Sequence, residues 1–217
     1  MKYVAILDYN HLDNGMFMKS FAEALAGQQN CRAYILHGDS PYTDRLMQTG
    51  MMREEAVLRS TKDLNNRIIA LLADSGVAAT GINGYQKDII SGNDGELKVD
   101  GDWLDNLPGR THLVISNLVK DQTNGAVSPV PLNQLAHRLS QAVNTDAIVL
   151  FPTVKNTETN FSAVANDNTN SRETARNPAG LIEHNLLPLP ANSFLCAITH
   201  FKNLPETGIL QKIEPEK

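Results

Sequence analysis

Tyr3-Val-Ala-Ile-Leu-Asp8, residues 15–26 and Ala33-Tyr-Ile-Leu-His37 are the stretches whose reading decides the fold. The first and last are short, apolar and partly β-branched, and each runs out into polar residues, as buried strands do. Between them Phe17, Met18, Phe21, Ala22 and Leu25 fall on one face of a helix, and Gly27 is placed to stop it. A strand, a helix and a strand at this spacing make a crossover unit, which pairs its strands in parallel. The expected class is α/β.

The same alternation continues downstream. Residues 54–75 carry the longest helical pattern, with Val57, Leu58, Leu64, Ile68, Leu71 and Leu72 apolar and Gly76 at the C′ position. Val77-Ala-Ala-Thr-Gly81 follows as a strand. Asp88-Ile-Ile90, the turn signal Asn93-Asp-Gly95 and Leu97-Lys-Val99 read as a hairpin, with a short helix opening at Trp103 and Leu104. His112-Leu-Val-Ile-Ser116 and Ala147-Ile-Val-Leu-Phe151 are further buried strands around an amphipathic helix over residues 131–143. Residues 153–177 turn to Asn, Thr, Glu and Ser with few apolar positions, and are expected to be a long loop. Residues 193–199 and 208–213 close the chain as two strands.

With 217 residues and 41% hydrophobic content the chain is large enough for one well-filled domain. Its 19 basic and 24 acidic side chains give a net charge of −5, which excludes a general field for nucleic acid. No run approaches the roughly 18 apolar residues that span a bilayer, and the apolar start at Met1 is too short for a secretion signal. The expected location is the cytoplasm, with no membrane partner. Two cysteines, Cys31 and Cys196, beside or within apolar runs, make neither a disulfide framework nor a zinc site, and no metal is expected through sulfur.

Strong motifs for phosphate cradling, zinc hydrolysis or serine nucleophiles are absent. Attention therefore falls on the carboxyl ends of the strands, where open α/β sheets gather ligands: Asp8-Tyr9-Asn10, His37-Gly38-Asp39-Ser40, Ser116-Asn117 and Pro152-Thr153. Gly38 could let backbone N–H groups approach an anion and Ser40 or Asp39 could cap a helix, although Gly, Asp and Ser are also ordinary turn residues. Asp8 reads equally as an orienting carboxylate or as a solvated cap. Arg53, ahead of the long helix, has the planar fork that pairs a carboxylate, or it is simply a surface arginine. Of the six histidines only His37 sits where chemistry is expected.

In order and in local pattern these segments resemble the amino-acid kinase family, and within it the acetylglutamate kinases. His37-Gly38-Asp39-Ser40 stands where that family ends a strand in His-Gly-Gly-Gly, and Gly50-Met-Met-Arg53 where it places Gly-Leu-Arg before a long helix. Leu64-Asn65-Asn66-Arg67, Ala78-Ala-Thr-Gly81-Ile-Asn-Gly84, Pro129-Val-Pro-Leu-Asn133 and Asn203-Leu-Pro205-Glu-Thr207-Gly208-Ile209 follow in register. The resemblance implies a three-layer αβα sandwich with a mostly parallel central sheet. It also implies one domain, with an acceptor-side half over 1–145 and a reduced nucleotide-side half over 146–217.

Its implied activity is ATP-dependent phosphoryl transfer to a small carboxylate such as an N-acylated amino acid, with ATP and Mg as cofactors. The catalytic positions would be Asp8, His37 and Asn133. Gly38, Asp39, Ser40, Arg53, Asn65 and Asn66 would hold the substrate, Tyr9, Asn10 and Thr153 the nucleotide, and helix 54–75 would pair copies into an oligomer. This chain also departs from the family: the family's first lysine falls at Leu7 or Asp8, its paired glycines become Tyr9-Asn10, and a carboxylate becomes Asn133. Losing one charge-stabilising donor commonly costs about 10² to 10³ in rate. A second reading is therefore a catalytically silent relative that binds a small anionic metabolite, or a protein partner, in a regulatory role. A third is unrelated α/β chemistry on Asp8, His37 and Asp39. A lysine brought to Gly38 from Lys2, Lys87 or Lys155 would favour the first.

Overall fold

The computed structural model describes residues 1–93, 95–108, 111–152, 182–204 and 210–213. Strands β1 (Lys2–Leu7), β2 (Arg32–His37), β3 (Ala79–Asn83), β6 (His112–Ser116), β9 (Ala147–Leu150) and β10 (Ser193–Leu195) form an all-parallel central sheet. Its order is β10-β9-β1-β2-β6-β3, and the two-residue strand β11 (Gln211–Lys212) adds antiparallel beside β10. A second sheet has the order β5-β4-β7-β8, from β4 (Ile90–Asn93), β5 (Glu96–Val99), β7 (Leu118–Asp121) and β8 (Val127–Pro129).

Strand alternation explains the layers. Tyr3, Ala5 and Leu7 of β1 face one core and Val4 and Ile6 the other, so both faces must be covered. The first face takes α1 (Gly15–Gly27), α3 (Arg53–Asp74) and α6 (Ile198–Phe201), through residues such as Phe21, Leu64, Ile68, Leu72 and Phe201. The opposite face takes α4 (Gly101–Asp105), α5 (Leu132–Ala142) and the second sheet, through Leu104, Leu135, Leu139 and Ile90. The sandwich expected from the sequence is thus the observed architecture.

Differences are local. Residues 42–48 form a helix, α2 (Tyr42–Gln48), which buries Thr43 and Leu46, too few apolar positions to stand out in the sequence. The hairpin strand begins at Ile90 rather than residue 88, because Gln86–Asp88 make a 3₁₀ turn in which Lys87 and Asp88 are left-handed. A further hairpin, β7-β8, closes around Asp121, whose carboxylate accepts from the Thr123 backbone N–H at 2.7 Å. The strand expected over 193–199 stops at Leu195, since the chain then turns into α6 to bury Phe201 against Phe21, Phe151 and Tyr3. Met52 is 76% exposed, so it is not part of a core. The expected loop over 153–177 lies outside the described residues, as do residues 208–209 of the last expected strand. Among the described residues no helix is long and apolar enough to cross a membrane.

Candidate functional site

Because β1 lies between β9 and β2, and β2 between β1 and β6, their carboxyl ends bring Asp8, Tyr9, Asn10, Gly38, Asp39, Ser40, Asn117 and Pro152 to one edge of the sheet. Asp8 is 2% exposed. Its Oδ1 accepts from the His11 backbone N–H at 2.8 Å and lies 2.7 Å from His11 Nδ1, a close electrostatic contact outside hydrogen-bond alignment. His11 Nε2 donates to the Pro152 carbonyl at 3.0 Å, since a carbonyl can only accept, and the ring stacks on Phe17 at 4.0 Å. Asp8 therefore locks the turn after β1 to the end of β9.

Tyr9 and Asn10 are held by acids. Tyr9 Oη donates to Asp44 Oδ2 at 2.6 Å, and burial with that carboxylate raises the phenol pKa well above its ordinary value. Glu183 Oε1 accepts from the Asn10 backbone N–H at 3.2 Å and from Asn10 Nδ2 at 2.7 Å. Burial and the negative charge of Asp8 raise the Glu183 carboxyl. Glu183 could not have been found by local spacing, because it reaches this edge from 173 residues further along the chain.

The turn after β2 is built for closeness. A Cβ on Gly38 would meet the Asn117 side-chain amide at 3.3 Å, so any larger residue would have to press that amide back by a few tenths of an ångström. Ser40 is buried and its Oγ accepts from Tyr42 N at 3.3 Å, which starts α2. Asp39 is half-buried; burial raises its carboxyl, while a bond to its own backbone N–H and the charge of Arg53, the first residue of α3, pull it down. Asn117 donates through Nδ2 to the Val130 carbonyl at 2.8 Å.

Three positions proposed from sequence face inward instead. His37 is fully buried; its Nδ1 donates to the Gly38 carbonyl at 3.0 Å and its Nε2 accepts from Asn65 Nδ2 at 3.0 Å. Burial lowers its pKa to about 4, so the ring is neutral. With both nitrogens engaged and no solvent access, His37 is a positioning residue and Asn65 its partner; neither meets a ligand here. Asn133 donates to the carbonyls of Leu187 at 3.0 Å and Pro188 at 3.2 Å, fastening the segment before β10 to α5. Its amide does what a carboxylate could not, since carbonyls need a donor. Asn66 lies exposed on α3, away from this packing. Thr153 lies outside the described residues.

No family model and no curated protein sequence matches the chain. Solved structures do match. Aspartate kinase from Synechocystis superposes with a TM-score of 0.58 at 12% identity, over 69% of this chain and 28% of that one. Isopentenyl phosphate kinase gives 0.56 at 14% identity, over 71% and 74%. N-acetylglutamate synthase from Neisseria gonorrhoeae, complexed with coenzyme A and N-acetyl-glutamate, gives 0.52 at 17%, over 70% and 41%.

The chain has the amino-acid kinase fold.

At these identities the likeness is one of architecture, and the chain matches less than half of the aspartate kinase and synthase chains. Within the amino-acid kinase fold, the strand-end residues offer a triphosphate little. Asp8, Asp39, Asp44 and Glu183 crowd the ends of β1 and β2, and Tyr9 and Asn10 are already committed to acids. Lys2 is bound to Asp105 at 2.8 Å at the start of β1, roughly 20 Å of strand from Asp8. Lys87 sits 5.7 Å over the Trp103 ring. Lys155 lies outside the described residues. Lys2 and Lys87 are thus engaged by Asp105 and Trp103, and acidic side chains predominate at these strand ends.

Proposed function

We propose that this chain is a kinase-fold binding protein, silent in phosphoryl transfer, that holds a small carboxylate-bearing metabolite at the ends of β1 and β2. The observation that carries the silence in phosphoryl transfer is the charge of the site. Phosphoryl transfer needs preorganised positive charge around the equatorial oxygens, whereas a buried Asp8 stands at the end of β1 with Glu183 close enough to have its pKa raised by it.

Arg53 supplies the fork for a ligand carboxylate, and Asp39, whose carboxyl feels the Arg53 charge, accepts from an N–H or ammonium of the same ligand. A free amino acid fits this pairing better than an N-acylated one, because only the former offers Asp39 a positive charge. The competing phosphotransferase reading, acetylglutamate-kinase-like with MgATP as donor, predicts saturable nucleotide binding.

Calorimetric titration of MgATP, then of free and N-acetylated acidic amino acids, into the protein tests both. Binding of the amino acid without nucleotide binding supports the silent reading. Saturable MgATP binding with transfer of labelled phosphate to the N-acetylated compound would overturn it.

A further inference from the structure

Glu183 reaches the turn after β1 from the far end of the chain, and its carboxylate is held there by N–H groups. Oε1 accepts from the Asn10 backbone N–H at 3.2 Å and from Asn10 Nδ2 at 2.7 Å, and the Tyr9 backbone N–H also favours the charged form. Among the described residues it makes no ion pair with a lysine, arginine or histidine. The group is half-buried, and the charge of the buried Asp8 repels it. A carboxylate kept in place against desolvation and a like charge marks a cradle with affinity for that group.

The segment that carries Glu183 does not need this contact. Ile182, Leu186 and Leu189 are buried in the core that α5 covers, and Asn133 of α5 donates to the carbonyls of Leu187 and Pro188. The path of residues 182–190 is thus fixed from the other side. Rotation of the Glu183 side chain out of the cradle asks no movement of that backbone.

We propose that the N–H groups of Tyr9 and Asn10 form a carboxylate subsite that the chain fills with its own Glu183, an internal competitor that a free carboxylate must displace. The proposal deepens the reading given above and rests on it for the class of ligand, a small carboxylate. Exchange replaces one carboxylate by another on the same donors, so no N–H is left unpaired. Its cost comes from the tether: a group joined to its own site acts at an effective concentration on the order of millimolar, which a free carboxylate has to exceed.

Acetate titrated into the isotope-labelled chain at constant ionic strength, followed by NMR at the Tyr9 and Asn10 backbone amides, tests this. In Glu183→Ala both amides should shift saturably, with acetate bound at least about tenfold more tightly than by wild type. Glu183→Gln, which keeps the volume and removes the charge, should fall between the two. A folded Glu183→Ala whose amides show no saturable shift, or which binds acetate no more tightly than wild type, would overturn the inference. If Glu183→Ala loses native dichroism, Glu183→Gln decides alone by the same comparison. Amino-acid calorimetry on wild type reads the earlier proposal separately: its failure beside a saturating acetate titration would keep the subsite and remove the amino acid as its ligand.

Discussion

Asn65 Nδ2 donates to His37 Nε2 at 3.0 Å, joining α3 to the end of β2 beneath the strand-end turn. The same amide nitrogen reaches the Val114 carbonyl at 3.2 Å, so one side chain ties α3 to β2 and β6. This bond needs a neutral imidazole, because a protonated His37 has no acceptor to offer.

Stability should therefore depend on pH through His37. Between about 6.5 and about 4 the unfolded chain binds a proton on His37 that the folded chain refuses, so stability is present above this window and lost as pH falls through it. The loss is on the order of a few kcal/mol. His112, also lowered by burial, acts in the same sense, whereas the raised carboxyls of Asp39 and Glu183 oppose it. Urea midpoints at pH 7 and 4.5 for wild type and His37→Gln isolate the histidine. A smaller acid loss in the variant is expected; parallel losses would remove His37 as the cause.

Gly81→Ala should destabilise through the same network. An added Cβ would collide with Asn65 Oδ1 and press on Ile69 Cγ1 at 3.1 Å, forcing Asn65 off His37. The expected cost is about 1 to 3 kcal/mol, read from urea unfolding at one fixed protein concentration. Wild-type stability in this variant would show that the contact relaxes freely.

Asn133→Asp restores the carboxylate of the family pattern and should restore no activity. It removes donors from the carbonyls of Leu187 and Pro188 and sets negative charge against them, at about 2 to 4 kcal/mol. Thermal unfolding beside a phosphoryl-transfer assay checks both halves. Gained transfer in a stable variant would reverse the structural role given to Asn133.

Arg53→Ala should weaken carboxylate binding by about tenfold or more, the worth of one charge-assisted contact, while leaving stability within about 0.5 kcal/mol. The side chain is exposed at the first position of α3, where a cation gains nothing from the helix dipole. Calorimetry of the bound amino acid reads the first, urea unfolding the second. Unchanged affinity would take Arg53 out of the site.

The crossover β1-α1-β2 was legible because every residue from Tyr3 to Leu7 and from Ala33 to His37 is buried, and strands covered on both faces must be apolar throughout. The β7-β8 hairpin was not, because its register is held by Asp121 bonding to its own turn rather than by an apolar pattern. Strand-end position alone brought Asp8, Tyr9, Asn10, Gly38, Asp39 and Ser40 to one edge of the sheet. Residue type alone could not tell that His37 and Asn65 spend their polar atoms on each other. Glu183 was invisible because what brings it to Asn10 is the tertiary path of β9 and β10.

The aromatic cluster of Tyr3, Phe17, Phe21, Phe151 and Phe201 lies wholly on the α1 face, while Trp103, the chain's single tryptophan, packs with the core on the other. The one indole of the chain thus lies in a single layer. Its emission follows the α4 and α5 layer, and far-ultraviolet dichroism, dominated by the 22-residue α3, follows the opposite one. Coincident melting of the two signals would mean that the parallel sheet welds both layers into one cooperative unit.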